Sequence, residues 1–184
     1  MKMFRVTEII SPYVNFNHVS LERLQAAADR GTEIHAYLNA YLNDLFLPVP
    51  ENAKGYCESG ARWIDQNVKR VISSEREYRD EVLGYYGHPD AVVELRTGKF
   101  WVPDWKSPVV ASKSWPLQIA GGYHHLICKA HRYKRENVIP GALMLSPTGG
   151  TAKMVRYDRE QPYYFSIFLG LLNAAKYFDK EGDK

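Results

Sequence analysis

Apolar residues recur at helical spacing in the first third of the chain. Ile34, Leu38, Tyr41 and Leu45 follow one another at intervals of three or four, and this stripe predicts a helix over 32–46. The same criterion, together with capping and breaking residues, predicts four further helices: 20–29 with Ser20 as its cap, 53–69, 116–132 and 161–178.

After residue 69 the pattern changes to that of extended chain. Four strands are predicted in succession as a meander, with a tight turn at Thr97-Gly98 before the last of them: 70–78, 81–86, 90–95 and 99–106. Two more strands, 141–145 and 152–157, lie on either side of a Pro- and Gly-containing turn. This order of elements predicts an α/β protein, with α+β character, in which a mixed sheet is flanked by helices.

The composition is ordinary for a globular protein. The 184 residues, 45% hydrophobic and 24% charged, predict a single domain over 1–184. No apolar run approaches membrane-spanning length and the N-terminus lacks the apolar core of a signal peptide, so no membrane partner is expected. Two cysteines, Cys57 and Cys128, are too few for a disulfide framework, and a cytoplasmic location is expected.

The net charge of +3 is modest, but its distribution is uneven. Cationic side chains cluster around the end of the 116–132 helix: Lys129, His131, Arg132, Lys134 and Arg135. Such a cluster contacts nucleic-acid phosphates without reading sequence. It is equally the composition of a solvated helix end, where cations interact favourably with the helix dipole.

Two aspartates and a lysine supply the candidate chemistry. Asp90 precedes an apolar strand, and Asp104 and Lys106 lie two positions apart on the next one, so their side chains point to the same face while Trp105 points to the other. Two carboxylates suffice to hold a cation such as Mg²⁺ beside a phosphate, and a lysine can orient a water or offset negative charge. The alternatives are a turn aspartate at 90 and a simple Asp104–Lys106 salt bridge.

Pro89-Asp90 followed by Asp104-Trp105-Lys106 resembles the PD-(D/E)xK nuclease signature. Three flanking elements narrow the resemblance to the RecB-like branch. They are the Gly31-Thr32-Glu33-Ile34-His35 run, similar to a GxxxH helix; Glu75, 15 residues before Asp90; and Gln118, similar to the Gln of a QxxxY helix. Gln118 and Tyr123 are five positions apart rather than the four of the motif, and Gly122 falls at the expected place of the tyrosine.

The resemblance implies a restriction-endonuclease-like core and one or two Mg²⁺ or Mn²⁺ ions, with no iron–sulfur cluster because its four cysteines are missing. His35, Asp90, Asp104 and the Trp105 carbonyl are the expected metal ligands, and Lys106 positions the attacking water. Glu75 and Gln118 are expected to support catalysis. Glu77 is the alternative to Glu75, because residues two apart on a strand point to the same face. The expected substrate contacts are Gln118, Tyr123, Lys129 and Arg132. His35 also fits the role of a satisfied boundary histidine.

The expected activity is that of an exonuclease acting on DNA in recombination, repair or phage DNA processing. Proteins of recombination or replication are the expected kind of protein partner, and the sequence names no particular one. The alternatives are a structure-specific endonuclease and a non-catalytic nucleic-acid-binding module on the same fold. Other chemistries lack their motifs: there is no short Cys/His zinc spacing, no phosphate-binding loop and no Gly-x-Ser-x-Gly elbow.

Overall fold

A computed structural model describes residues 2–14, 19–107 and 112–181. The N-terminal segment, to which the sequence pattern assigns no element, forms a short strand β1 (Phe4–Arg5) and a one-turn helix α1 (Val6–Ile10). Both are held by apolar contacts, since Val6, Ile9 and Ile10 are buried. This segment therefore belongs to the folded core, although it is too short to show periodicity.

The first two predicted helices are one continuous helix, α2 (Leu21–Leu42). Ser20 caps it as expected, because its hydroxyl accepts a hydrogen bond from the Arg23 amide at 3.4 Å. The predicted break at Gly31 is wrong: a glycine inside a helix costs only about 1 kcal/mol, and burial of the apolar stripe outweighs this. The helix also ends earlier than predicted, at Leu42, so that Leu45 lies in an exposed loop.

Helix α3 (Lys54–Asn67) leads into the strands, which differ from the predicted meander. The expected 70–78 strand is two strands, β2 (Val68–Ser74) and β3 (Tyr78–Asp80), separated by a turn at Glu75. The expected 81–86 strand is mostly a turn, because the Asp80 carboxylate accepts hydrogen bonds from the next amides, and only β4 (Tyr85–Gly87) is extended.

Two further strands agree with the sequence pattern, β5 (Ala91–Leu95) and β6 (Phe100–Lys106). The helix that follows is interrupted by a π-helix: α4 (Ser114–Pro116), the π-helix (Leu117–Tyr123) and α5 (His124–His131). The chain then forms β7 (Val138–Met144), β8 (Lys153–Arg156) and α6 (Gln161–Glu181), which extends three residues beyond the predicted end.

The strands form two sheets rather than one. The larger sheet has the order β2-β5-β6-β7-β8, and a three-stranded sheet has the order β1-β4-β3. In the larger sheet only β6 and β7 run parallel, with Asp104 opposite Ala142 and Lys106 opposite Met144. The protein is thus a mixed α/β structure with a mixed multi-stranded sheet and flanking helices, as the order of elements predicted at this level.

The core lies on both faces of the larger sheet. On one face Trp101 and Trp105 pack with apolar residues of α2 and α3, and on the other Val102 packs with residues of α5 and α6. This alternation confirms that Trp105 points away from Asp104 and Lys106. Among the described residues, no helix combines the length and the apolar character that crossing a membrane requires.

Candidate metal centre

The candidate residues meet at one end of the larger sheet because of strand register. Strands β5 and β6 are antiparallel with Glu94 opposite Phe100, so continuing the register by four residues brings Asp90 opposite Asp104. Strand β2 pairs with β5 with Ser74 opposite Ala91, which places Glu75 next to Asp90. Residues far apart in sequence are therefore brought together by ordinary strand pairing.

Asp90 is held by hydrogen bonds on both carboxylate oxygens. The Trp105 amide donates to Oδ2 at 2.7 Å, and His35 Nδ1 lies 3.2 Å from Oδ1. Burial alone would raise the pKa of Asp90, but His35, Lys106 and the Trp105 amide together hold it below its ordinary value. Asp90 is therefore a buried carboxylate with a fixed orientation, in the bend that precedes β5.

His35 projects from α2 between two of the expected ligands. Its Nδ1 faces the Asp90 carboxylate, and its Nε2 lies 3.1 Å from the Trp105 carbonyl oxygen, which accepts the hydrogen bond. Burial lowers the pKa of His35, but the Asp90 carboxylate, with a smaller effect of Asp104, raises it to about 9. The imidazolium therefore places a positive charge among the carboxylates of Asp90 and Asp104.

Asp104 is the more costly of the two aspartates to bury. Burial and the charge of Asp90 raise its pKa, although the ammonium of Lys106 opposes this shift. Lys106 forms an ion pair with Asp104 Oδ2, and beyond this contact that oxygen receives no hydrogen bond from the residues that the structure describes. The cation that this oxygen contacts in the structure is the Lys106 ammonium, which is the geometry of the salt-bridge alternative.

Lys106 is held on its other side by an aromatic ring. Its ammonium lies 5.5 Å from the centre of the Trp115 ring, within the range of a cation–π contact. Burial lowers the pKa of Lys106, but Asp104 and Asp90 raise it above its ordinary value. Lys106 is therefore a charged, largely enclosed side chain rather than a flexible surface lysine.

Glu75 occupies a strained turn that directs it to the site. Its φ of 50° lies in the left-handed region, which is uncommon for a residue other than glycine. Its amide donates to the Asp90 carbonyl at 3.0 Å, and burial followed by the Asp90 charge raises its pKa. Ligand atoms of His35, Glu75 and Asp90 all lie within 4.8 Å of one another.

Glu77, the alternative to Glu75, faces elsewhere. It forms an ion pair with Arg79, and its other carboxylate oxygen lies 3.3 Å from His88 Nε2. The turn at Glu75 explains why alternation did not decide between the two glutamates, since β2 ends before either of them.

Gln118 and Tyr123 lie side by side although they are five positions apart. Gln118 Nε2 donates to the Tyr123 hydroxyl at 3.1 Å. In an α-helix, residues i and i+4 lie one turn apart on the same face. In the π-helix that contains Gln118 and Tyr123, the residues one turn apart are i and i+5. The extra residue that departs from the QxxxY spacing is thus accommodated by the π-helix, and the charge of Asp104 contributes, after burial, to raising the pKa of Tyr123.

The structure does not bring Lys129 and Arg132 into this group. Lys129 Nζ pairs with the Asp80 carboxylate at 2.6 Å, and Arg132 ends α5 with a left-handed φ of 54°. In the described part of the chain, no hydrogen bond or ion pair joins either of them to His35 or Asp90.

Sequence reasoning missed the residues that position the site. Asn39 accepts a hydrogen bond from Ser74, whose hydroxyl also lies 3.3 Å from the Asp90 carbonyl, so α2 is tied to the turn at Glu75. The sequence does contain a sign that Asn39 belongs to the site. Gly31, His35 and Asn39 are spaced by four on α2, so they lie on the same face of the helix. They line an open cleft of about 510 Å³ beside Glu75.

The donor set fits a hard or borderline divalent cation. Glu75, Asp90 and Asp104 offer carboxylate oxygens and Trp105 a carbonyl oxygen, whereas His35 would offer a ring nitrogen only after losing the proton that it shares with Asp90 or with the Trp105 carbonyl. Oxygen ligands suit Mg²⁺ and Mn²⁺, and the imidazole favours Mn²⁺ over Mg²⁺. The buried carboxylates of Asp90 and Asp104 support this fit, since burying two such groups together favours a cation beside them.

No protein-family model matches the chain, and no curated protein matches it.

Proposed function

We propose that this protein is a metal-dependent DNA nuclease with a restriction-endonuclease-like core, related to the RecB-like branch of PD-(D/E)xK enzymes. Its reaction is hydrolysis of phosphodiester bonds, and we propose that it acts on DNA ends as an exonuclease. The observation that carries this proposal is the group of His35, Glu75 and Asp90, whose ligand atoms lie within 4.8 Å of one another, beside the Asp104–Lys106 ion pair.

Several features support a catalytic rather than a structural role for this group. Asp90 and Asp104 are buried together at 6% and 2% exposure, and bringing two carboxylates together is unfavourable unless cations accompany them. His35 and Lys106 are the two cations present among the described neighbours. Replacing buried ion pairs by well-packed apolar side chains is often neutral or stabilising, so stability alone is a weak reason for a protein to keep such a group.

The chain's own residues have separable tasks in this proposal. A divalent cation, when bound, supplies positive charge to the phosphate and makes a water more acidic. Glu75, Asp90, Asp104 and the Trp105 carbonyl would hold it, together with His35 once this side chain releases a proton to solvent. Lys106 orients the attacking water and offsets charge that develops on the phosphate. Gln118, fixed by Tyr123, contacts the substrate strand at the edge of the site.

The test is cleavage of end-labelled linear DNA and closed-circular DNA with Mg²⁺, Mn²⁺ or EDTA. We expect cleavage of linear DNA with either metal and none in EDTA. Asp104→Asn, which keeps the shape of the side chain, should abolish cleavage. Glu75→Gln should reduce cleavage, whereas Glu77→Gln should leave it unchanged, since Glu77 pairs with Arg79 and His88.

The other outcomes separate the alternatives. Cleavage of closed-circular DNA identifies an endonuclease and overturns the assignment as an exonuclease. Binding of DNA without cleavage in either metal identifies a non-catalytic module and overturns the proposal of an enzyme. Equal loss in the Glu75 and Glu77 variants would contradict the placement of Glu75 at the site.

A further inference from the structure

A series of ring contacts connects the turn at Glu75 with the end of α5. Arg76 follows Glu75 directly in the chain, and its guanidinium lies 5.5 Å from the centre of the Tyr78 ring. The Tyr78 hydroxyl lies 3.0 Å from His131 Nε2, and the His131 ring is stacked on Tyr133 with 5.1 Å between the ring centres. Residues next to the candidate metal centre and residues at the end of α5 therefore share one surface.

The far end of this surface lies on the larger sheet. Tyr133 is stacked on Phe100 of β6 with 4.0 Å between the ring centres. Burial raises the pKa of Tyr133, and the positive charge of Arg70 on β2 opposes this shift, so the arginine lies beside the ring. We call five residues of this surface the basic strip: Arg70, Arg76, Tyr78, His131 and Tyr133.

Strand register gives the length of the basic strip. On β2, Ser74 lies opposite Ala91 and Arg70 lies opposite Glu94 of β5. Three residue steps along β5 correspond to about 10 Å, which is the axial length of about three nucleotides in one strand of DNA. The basic strip is therefore long enough to follow several phosphates of a strand that reaches the candidate metal centre.

The exposed charge of the basic strip is positive. Arg70 shares one carboxylate, Glu94, with Lys69 at 2.8 and 2.7 Å, which leaves one excess positive charge. Arg76 is exposed, and no carboxylate oxygen of residues 2–14, 19–107 and 112–181 lies within 4.0 Å of its guanidinium. The neighbouring Glu77 is paired with a different arginine. An anionic ligand is therefore the complement of this surface.

Two more cations lie next to the basic strip in the sequence. Arg132 precedes Tyr133 and Lys134 follows it, and both side chains are exposed. Among the residues that the structure describes, no carboxylate oxygen lies within 4.0 Å of either cation, and this includes the nearby Glu136. The positive charge thus continues past the end of α5.

The basic strip offers little exposed apolar surface. Tyr78 is buried and Tyr133 is half-buried, and within the described part of the chain none of the large apolar side chains that are strongly exposed belongs to the strip. Protein–protein interfaces are depleted of charged residues at their centre, whereas surfaces that bind DNA are more polar and strongly positive. The chemistry of the basic strip therefore favours a phosphate backbone over a protein partner.

We propose, resting on the function proposed above, that the basic strip binds the sugar–phosphate backbone of one DNA strand whose end lies at the candidate metal centre. Arg70 and Arg76 contact phosphates of this strand. The contact with the Tyr78 ring holds the Arg76 guanidinium in place for this task. Phosphate contacts fix the position of the strand without reading its base sequence.

The test is binding of a fluorescein-labelled DNA oligonucleotide in EDTA, followed by fluorescence anisotropy over a range of salt concentrations. EDTA prevents metal-dependent cleavage, so binding is measured separately from the reaction. In Arg70→Gln and in Arg76→Gln the slope of log affinity against log salt should fall by about 1, because one phosphate contact is lost. Affinity should fall by about 5–10-fold at about 0.1 M salt. In Arg70→Gln the Glu94 carboxylate keeps Lys69 as its partner.

The matched control is Arg23→Gln. Arg23 is exposed too, but it lies in the first turn of α2, a helix that packs against the other face of the larger sheet. Its replacement should leave the salt slope and the affinity unchanged. The unfolding temperatures of all three variants should stay close to that of the wild type, since the three side chains are exposed.

The outcomes that overturn the assignment of the basic strip are distinct from those that overturn the nuclease. A wild type that does not bind the oligonucleotide in EDTA overturns the assignment, as does an unchanged salt slope in the Arg70 and Arg76 variants or an equal loss in Arg23→Gln. Equally tight binding of a polyglutamate peptide overturns it too, because the ligand is then an acidic protein segment. Binding with the expected slopes but without cleavage in Mg²⁺ or Mn²⁺ supports the basic strip and overturns the nuclease.

Discussion

Replacing Lys106 with methionine separates its structural role from its catalytic one. The change keeps the length and apolar stem of the side chain but removes the ammonium that pairs with Asp104. The two side chains are exposed by only 16% and 3%, so water screens their interaction weakly. After the change, Asp90 and Asp104 are left buried together with His35 as their remaining described cation partner.

The expected cost follows from this burial. Removing one partner of a buried ion pair leaves an uncompensated charge and costs about 3–5 kcal/mol of unfolding free energy. For a domain of this size that corresponds to a fall in Tm of roughly 6–20 °C. Cleavage should fall by about 10²-fold or more, the scale for removing one positioned charge, while Mn²⁺ binding is retained.

Urea unfolding in EDTA measures the stability, and Asp104→Asn provides the matched background. In that background Lys106→Met should be neutral or stabilising, because the lysine has then already lost its main counter-ion. A loss below about 1 kcal/mol for Lys106→Met alone, or the same loss in both backgrounds, would refute the interpretation of Lys106 as a buried charge fixed by Asp104. Near wild-type cleavage by Lys106→Met would refute its catalytic role.

Three further predictions follow from particular residues. Gly31→Ala should raise unfolding free energy by about 1 kcal/mol, because an added Cβ meets nothing within 4 Å, yet lower cleavage because it narrows the cleft beside His35. Stability should fall by up to about 3 kcal/mol as pH drops from 6.5 to 4, since burial lowers the pKa of His124 to about 4 and the unfolded chain takes up the proton first. Tyr123→Phe should cost about 1 kcal/mol and reduce cleavage, because Gln118 loses its hydrogen bond.

Each of these predictions has a matched control. Gly170→Ala, in α6 and with equally open space, should raise stability without affecting cleavage. His124→Gln should flatten the pH dependence of urea unfolding between 6.5 and 4, and an unchanged slope would contradict the assignment to His124. Tyr85→Phe removes another buried hydroxyl, bonded to the Gly122 carbonyl at 3.3 Å, and should lower stability but not cleavage.

The pairing of Asp90 with Asp104 was predictable because it depends on local rules. Two successive strands joined by the Thr97-Gly98 turn form an antiparallel pair, and alternation then places Lys106 on the same face as Asp104. These rules do not depend on the rest of the protein. The candidate pair and its lysine were therefore accessible from the sequence, whereas their cation partner His35 came only from a family resemblance.

The turn at Glu75 was not predictable, because its cause is not local. Ser74-Glu75-Arg76 contains no glycine or proline, so the apolar run before it predicts a longer strand. The strand ends where Glu75 adopts a left-handed φ of 50°, at a turn that Ser74 ties to Asn39 of α2. Contacts with a distant helix override the intrinsic preference of the segment.

The π-helix was hidden for a similar reason. Only Gly121-Gly122 hints at it, and the structure shows why both are needed: a Cβ at Gly121 would lie 2.9 Å from the Tyr164 carbonyl of α6, and one at Gly122 would lie 2.7 Å from Val6 of α1. Close packing of the π-helix between two other helices is a tertiary effect. The spacing of Gln118 and Tyr123 therefore looked anomalous in the sequence and is regular in three dimensions.

The most direct test of the account is the position of manganese in a crystal of the wild-type protein soaked in Mn²⁺, located by its anomalous scattering. The account predicts a peak within about 2.5 Å of the His35 ring nitrogen and of carboxylate oxygens of Asp90 and Asp104, and loss of that peak in Asp104→Asn. A wild-type crystal with no peak at saturating Mn²⁺, or with manganese bound only away from these three side chains, would contradict the central claim.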